Sequence, residues 1–266
     1  MITNIFFFQL LLTFLTGSCW IYFTVLAGLR LGSKTGGFIG GLPSTALLSF
    51  FFIGLTQSPE MASTVTTVFP VAISISGLFL VVYAWVSPRG FIPALLSGLC
   101  SWFLLSAIVI FCKPEHFIPN LAIYAAVMIF SYLMLEKVLL IRSESSDKTG
   151  HPEKHLMIRS LFGGFIVMLT VFIAKTGGPV LGGIFAAFPA MFISTLTISY
   201  KANGIEFSRA MTKPLMVTGM ITIAVYAIAL RYLYLYAGLY FGTFLSICIS
   251  GVSAWLTSRF ILPRLI

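Results

Sequence analysis

The first charged side chain of this 266-residue chain is Arg30. Before it runs FFFQLLLTFLTGSCWIYFTVLAGL, residues 6–29, and similar apolar runs recur along the chain. A helix needs roughly 20 mostly apolar residues to cross the hydrocarbon core of a bilayer. The runs are continuous rather than alternating every second residue, which points to helices and away from a β-barrel. Charged residues make up 9% of the chain and hydrophobic types 59%, with a mean hydropathy of +1.04. So few charges cannot cover a water-facing surface, because soluble domains carry roughly 25%. A soluble globular domain, a disordered chain and a coiled coil are excluded. The expected fold class is an all-α integral membrane protein, and its first partner is the lipid bilayer.

About nine transmembrane helices are expected, at 5–29, 37–56, 66–86, 91–112, 117–140, 156–174, 178–198, 208–231 and 235–258. The clearly polar stretch is RSESSDKTGHPEK, from Arg142 to Lys154, a loop by composition near the middle of the chain. Its His151 and His155 are four apart, as on one helix face, but Pro152 sits between them and Glu153 is misplaced for HExxH, so no metal is expected.

The net charge is +9, from 16 Lys+Arg and 7 Asp+Glu. No basic cluster has aromatics placed for base stacking, so no nucleic-acid partner is expected. The basic residues are instead sorted by side. With the N-terminus outside, the inner loops hold Arg30, Lys34, Arg89, Lys137, Arg142, Lys148, Lys154, Arg159, Lys201, Arg209, Lys213, Arg259 and Arg264. The outer loops hold Lys113, Lys175 and Arg231. Thirteen of the 16 on one side matches the positive-inside bias of a cell (plasma) membrane protein with its N-terminus outside and its C-terminus cytoplasmic. That orientation requires an odd number of spans. Cys19, Cys100, Cys112 and Cys248 form no CxxC pair and read as small hydrophobes in apolar runs.

The two halves of the chain resemble each other. Lys34-Thr35-Gly36-Gly37 recurs as Lys175-Thr176-Gly177-Gly178, and the pair Gly40-Gly41 as Gly182-Gly183. A proline inside the next apolar run follows each time, Pro43 and Pro189. Pro70 and Pro214 come next, each followed by Val-Tyr-Ala, at Val82-Tyr83-Ala84 and Val225-Tyr226-Ala227. Ser97-Gly98 with Trp102 closes the first series, and Ser250-Gly251 with Trp255 the second. The reading is repeat one at 1–114 with four spans, a linker helix and polar loop at 115–155, and repeat two at 156–266 with four spans. One connecting span reverses the second repeat in the membrane. The result is a pair of inverted-topology repeats, a symmetry many secondary transporters use.

The segments GGPVLGGIFAAFPAMFISTLTI and MTKPLMVTGMITIAVYAIAL resemble the GlpM-like family of small, roughly four-span membrane proteins. The resemblance covers most of 156–258 and, more faintly, 15–112. It implies a fold rather than an activity, and this chain resembles a tandem, two-unit version joined by a linker helix.

Candidate substrate-binding residues are Lys34, Thr35, Gly36, Gly37, Gly40 and Gly41, with Lys175, Thr176, Gly177, Gly178, Gly182 and Gly183 in the second repeat. Glycines allow close approach of a ligand, and a helix N-terminus beside a lysine suits an anion. The same residues also suit tight helix packing, with the lysines reaching to opposite interfaces. Pro43, Pro70, Pro189 and Pro214 are expected helix breaks, because proline removes an N–H and frees carbonyls. Tyr83 and Tyr226 are cavity-lining candidates beside the hydroxyls of Thr45, Ser49, Ser194 and Thr195, although such groups also serve packing. No Asp or Glu falls in the middle of an expected span, which argues against a carboxylate proton relay and a catalytic carboxylate pair. The expectation is a transporter for a small anionic or neutral polar solute, not an enzyme, with no cofactor. The alternative is a non-transporting accessory or lipid-handling membrane protein.

Overall fold

The computed structural model describes residues 4–30, 43–142 and 153–261. Those residues form helices: α1 (Asn4–Arg30), α2 (Ser44–Thr56), α3 (Pro59–Val65), α4 (Phe69–Val86), α5 (Phe91–Cys112), α6 (Phe117–Leu133), α7 (Glu153–Ala186), α8 (Ala190–Ala210) and α9 (Met220–Leu256). Short π-type turns extend α6 at Met134–Val138, precede α9 at Leu215–Gly219 and follow it at Thr257–Ile261.

Six stretches of the described residues are long and apolar enough to cross a bilayer, so this is an all-helical protein of membrane type. Four correspond one to one with expected spans. The fifth and sixth, Leu156–Ala210 and Thr212–Ile261, are 55 and 50 residues long. A straight helix of that length measures about 80 Å, far beyond the roughly 30 Å of a hydrocarbon core. Neither stretch is straight. Gly178, Gly204 and Gly238 have φ of +84°, +82° and +71° with ψ near 180°, a backbone shape that only glycine adopts without strain.

Contacts across these glycines show the chain doubling back. A Cβ placed on Gly182 would lie 2.7 Å from the Ala174 Cβ. The Ser208 hydroxyl donates to the Leu196 carbonyl at 2.8 Å, where twelve residues of straight helix would separate them by about 18 Å. The Tyr234 and Thr243 hydroxyls are 2.8 Å apart around the Gly238 turn. The expected second span is described only from its proline onward, as the 13-residue α2.

α4 is apolar all round and almost wholly buried, as a helix must be at the centre of a bundle. The peripheral helices bury one face, on which small residues recur, and turn many large side chains outward. On α5, Ala94, Gly98 and Ser106 face in while Leu104, Ile108 and Phe111 are exposed. On the second arm of α9, Gly242, Ser246, Ser250 and Ala254 face in while Phe241, Phe244 and Val252 face out. Such a surface suits lipid contact, because helices in lipid associate through small residues that let backbones approach. The four cysteines carry free thiols and lie on the exposed side.

α1 packs along α7 through glycines. Gly163 meets Ile21, Gly164 meets Phe14 and Ser18, and Gly17 meets Gly164 and Val167. Rising numbers on α1 meet falling numbers on α7, so the two helices are antiparallel.

Two polar clusters mark opposite ends of α4. At one, Arg231 donates to the Ser63 carbonyl and to the Thr66 and Thr67 hydroxyls at 3.3, 3.1 and 2.9 Å. Its guanidinium also lies 4.5 Å from the centre of the Phe117 ring. At the other, Arg209 donates to the Ala84 and Leu139 carbonyls at 3.2 and 3.3 Å, and Lys213 pairs with Glu136. α6 spans the same interval, with Phe117 in the first cluster and Leu139 just past its far end.

Candidate functional site

A partly open cavity of about 330 Å³ lies against the starts of two helices, α2 and α8. α2 begins at Pro43 with φ −77° and ψ 56°, and α8 begins at Pro189 with φ −77° and ψ 39°. Proline cannot continue a helix from the preceding turn, so each proline starts a new one. The Pro43 carbonyl accepts from the Leu47 N–H at 2.7 Å, and the Pro189 carbonyl from the Ile193 N–H at 2.9 Å. Both prolines, with Thr45 and Thr195 downstream, line the cavity.

The break before Pro189 leaves carbonyls that α7 no longer uses. Ala187 and Phe188 turn tightly onto Ile184 and Phe185 through three-residue bonds of 3.1 Å. The freed Ala187 carbonyl accepts from the Ser76 hydroxyl of α4 at 2.8 Å. Ser76 in turn accepts from the Trp102 indole at 3.2 Å, and Trp102 packs edge-on against Phe188 with ring centres 5.1 Å apart. Ser76 and Phe188 both face the cavity. This relay from α5 through α4 fixes the broken strand of chain in place.

The π-type turn after Pro214 forms a further part of the wall. Leu215, Thr218 and Gly219 line the cavity there. A π turn widens the helix and misaligns its carbonyls, and such turns recur at functional sites. Thr218 satisfies the Pro214 carbonyl at 2.7 Å.

The remaining charged wall residue is Arg159, near the start of α7. Its Nη2 lies 3.9 Å from the Met191 sulfur, and its buried Nε has no hydrogen-bond partner among the described residues. No acidic side chain is among the described residues that line the cavity.

The candidates from sequence are distributed unevenly. Lys34, Thr35, Gly36, Gly37, Gly40 and Gly41 lie outside the described residues. Lys175, Thr176 and Gly177 are exposed at the α7 turn, where the Thr176 hydroxyl bonds the Phe172 carbonyl at 3.0 Å, and neither they nor Gly178 line the cavity. Gly182 and Gly183 pack against Ala174, Val65 and Val68, so their lack of a side chain serves helix contact. Pro43, Pro189 and Pro214 line the cavity: α2 starts after Pro43 and α8 after Pro189, whereas Pro214, with helical φ −55° and ψ −45°, lies in the first turn of a helix that begins at Thr212 and does not break it. Pro70 does not break a helix: it sits in the first turn of α4, where its missing N–H has no helical partner to lose.

Tyr83 and Tyr226 are both 0% exposed and lie in the packed core, not in the cavity wall. Tyr83 shares a hydrogen bond of 2.7 Å with Ser208, and Tyr226 packs against Phe50. The last sequence match is unequal in space, because Trp102 is 1% exposed and Trp255 is 53% exposed. Sequence reasoning missed Arg159, Ser76 and the π turn. Arg159 was counted with the inner-loop charges, although it lies at the start of a strongly apolar run, which was the available signal.

Residues 156–262 match the model of a family described as a protein of unknown function, DUF3147. The match includes Arg159, Pro189 and Pro214 and leaves the first half of the chain outside it. No curated protein and no solved structure matches the chain.

Proposed function

We propose that the protein is a membrane transporter for a small anionic or neutral polar solute, bound in the cavity between the Pro43 and Pro189 helices. In this reading the chain crosses the membrane nine times as two inverted repeats around a linker helix, a tandem of the GlpM-like unit. The N-terminus is outside the cell membrane and the C-terminus in the cytoplasm.

The single observation that carries the reading is the cavity itself. Its lining takes in both prolines, which stand at equivalent positions of the sequence repeat and each start a helix. Transporters with inverted repeats place their sites at such paired discontinuities, and rocking one repeat against the other exposes the site to each side in turn. Three further features support the arrangement. The glycine turns divide the two long stretches into crossing-sized arms. α1 and α7, which open the two repeats, run antiparallel. The polar clusters around Arg231 and Arg209 separate residues expected outside from residues expected inside.

A flux screen tests the proposal. Purified protein in liposomes is loaded against labelled small carboxylates, phosphate, sugars and amino acids, with protein-free liposomes as the baseline. Uptake of at least one solute above that baseline is expected. Absence of uptake throughout, with a partner protein co-purifying in stoichiometric amount, would favour the accessory reading instead.

A further inference from the structure

We infer that the cavity holds a monovalent organic oxyanion, its carboxylate or phosphate group on Arg159 and its apolar body against the apolar part of the lining. The inference rests on the cavity being the binding site proposed above.

A comparison among the buried and partly buried cations carries it. Arg231 and Arg209 each donate to main-chain carbonyls, and Lys213 has the Glu136 carboxylate. Arg159 has none of these. Its Nε is buried without a partner among the described residues, and its Nη2 reaches only the Met191 sulfur at 3.9 Å, a weak acceptor. An ionised side chain within a membrane protein is costly unless paired, and such unpaired groups mark substrate pathways. Guanidinium presents two parallel N–H donors that match a carboxylate or phosphate edge. With one cation and no acid among the described wall residues, a single negative charge balances the site. Ile73, Phe192, Leu215 and Ile223 form an apolar wall, which fits a hydrocarbon or aromatic body rather than an inorganic ion. Thr195 and Thr218 add hydroxyls at its edge.

The oxyanion has two possible sources, a soluble organic acid or the headgroup of an anionic lipid, and two arms of one experiment separate them. Full-length protein is placed in nanodiscs of phosphatidylcholine alone, and thermal unfolding is followed with benzoate or with neutral benzyl alcohol. A second set contains phosphatidylglycerol and no benzoate. Stabilisation by benzoate but not benzyl alcohol, with binding roughly tenfold or more weaker in Arg159→Gln, establishes a soluble-acid site. Stabilisation by phosphatidylglycerol alone, lost in Arg159→Gln, establishes the same oxyanion site for a lipid. Lys201→Ala, an exposed lysine of α8 outside the cavity lining, responds as wild type in both arms.

Three results overturn the inference: no stabilisation in either arm, equal stabilisation by benzyl alcohol, or an unchanged response in Arg159→Gln. If Arg159→Gln fails to fold, Arg159→Lys keeps the charge without the fork and should bind more weakly. Should that also fail, the wild-type contrast between benzoate and benzyl alcohol decides. Flux is read separately. Arg159-dependent binding without flux upholds the anion site and removes the transporter, whereas flux unaffected by Arg159→Gln removes the anion site and leaves the transporter.

Discussion

Pro43 and Pro189, one in each half of the chain, start their helices with the same φ of −77° and face the same cavity. Their carbonyls accept equivalent bonds, from Leu47 at 2.7 Å and from Ile193 at 2.9 Å. Equivalent sequence positions thus carry similar local geometry at the edge of one space. The surroundings are not equal: α4 and α5 support the Pro189 side through the chain Trp102, Ser76 and Ala187. Trp102→Phe keeps the ring but loses the indole donor. The Ser76 to Ala187 bond then loosens, and a loss of about 1 kcal/mol in stability is expected from one hydrogen bond. Thermal unfolding in detergent measures it.

The glycine turns separate backbone strain from crowding. A Cβ on Gly238 meets nothing within 4 Å, yet φ is +71°. Gly238→Ala should therefore destabilise by about 1–3 kcal/mol through conformation alone. Gly183 is the reverse case, helical but with the Val65 carbonyl 2.6 Å from where a Cβ would stand. Gly183→Ala should cost about 1–3 kcal/mol through overpacking. Shortening the Val68 side chain alongside it, in Gly183→Ala with Val68→Ala, should recover part of that loss, while no second change near Gly238 rescues Gly238→Ala. Unfolding midpoints of the single and double variants check both statements.

Arg231 ties α3 and the start of α4 to α9 through three acceptors and the Phe117 ring. A lysine keeps the charge but not the planar fork that reaches several acceptors at once. Arg231→Lys should lower stability by roughly 1–3 kcal/mol, the scale of charged hydrogen bonds. An unchanged melting temperature would show that these bonds are not maintained in the membrane.

How much of this could be read from sequence follows from which forces act locally. Continuous apolar runs set the helices, and the limits of α5 fall at Phe91 and Cys112 as expected, because Gly90 and Lys113 both take positive φ there. The prolines at 43 and 189 mark where α2 and α8 start, and proline's lost N–H makes such a start a local property of the sequence. The role of Pro70 was not legible, since whether a proline starts or interrupts a helix depends on the residues packed before it. Arg159 was illegible as a wall residue because charge patterning assigns a side of the membrane, not a depth. Tyr83 and Tyr226 show the same limit: an aromatic with a hydroxyl suits a core, an interface or a cavity, and only the packing of Ser208 and Phe50 around them decides.

Orientation has its own test. With the four exposed native cysteines replaced, Lys113→Cys and Lys201→Cys are labelled in intact cells by a membrane-impermeant thiol reagent. Lys113→Cys should react and Lys201→Cys should react only after lysis. The opposite pattern would reverse the membrane orientation, and equal reaction of both would break the alternation of ends.

The most direct test of the transporter reading needs no knowledge of the solute. Thr195 lines the cavity from α8. In the background without native cysteines, Thr195→Cys is exposed to an impermeant thiol reagent in right-side-out and in inside-out vesicles. A site that opens alternately to the two sides gives modification in both preparations. Modification from one side only, or from neither, would contradict alternating access.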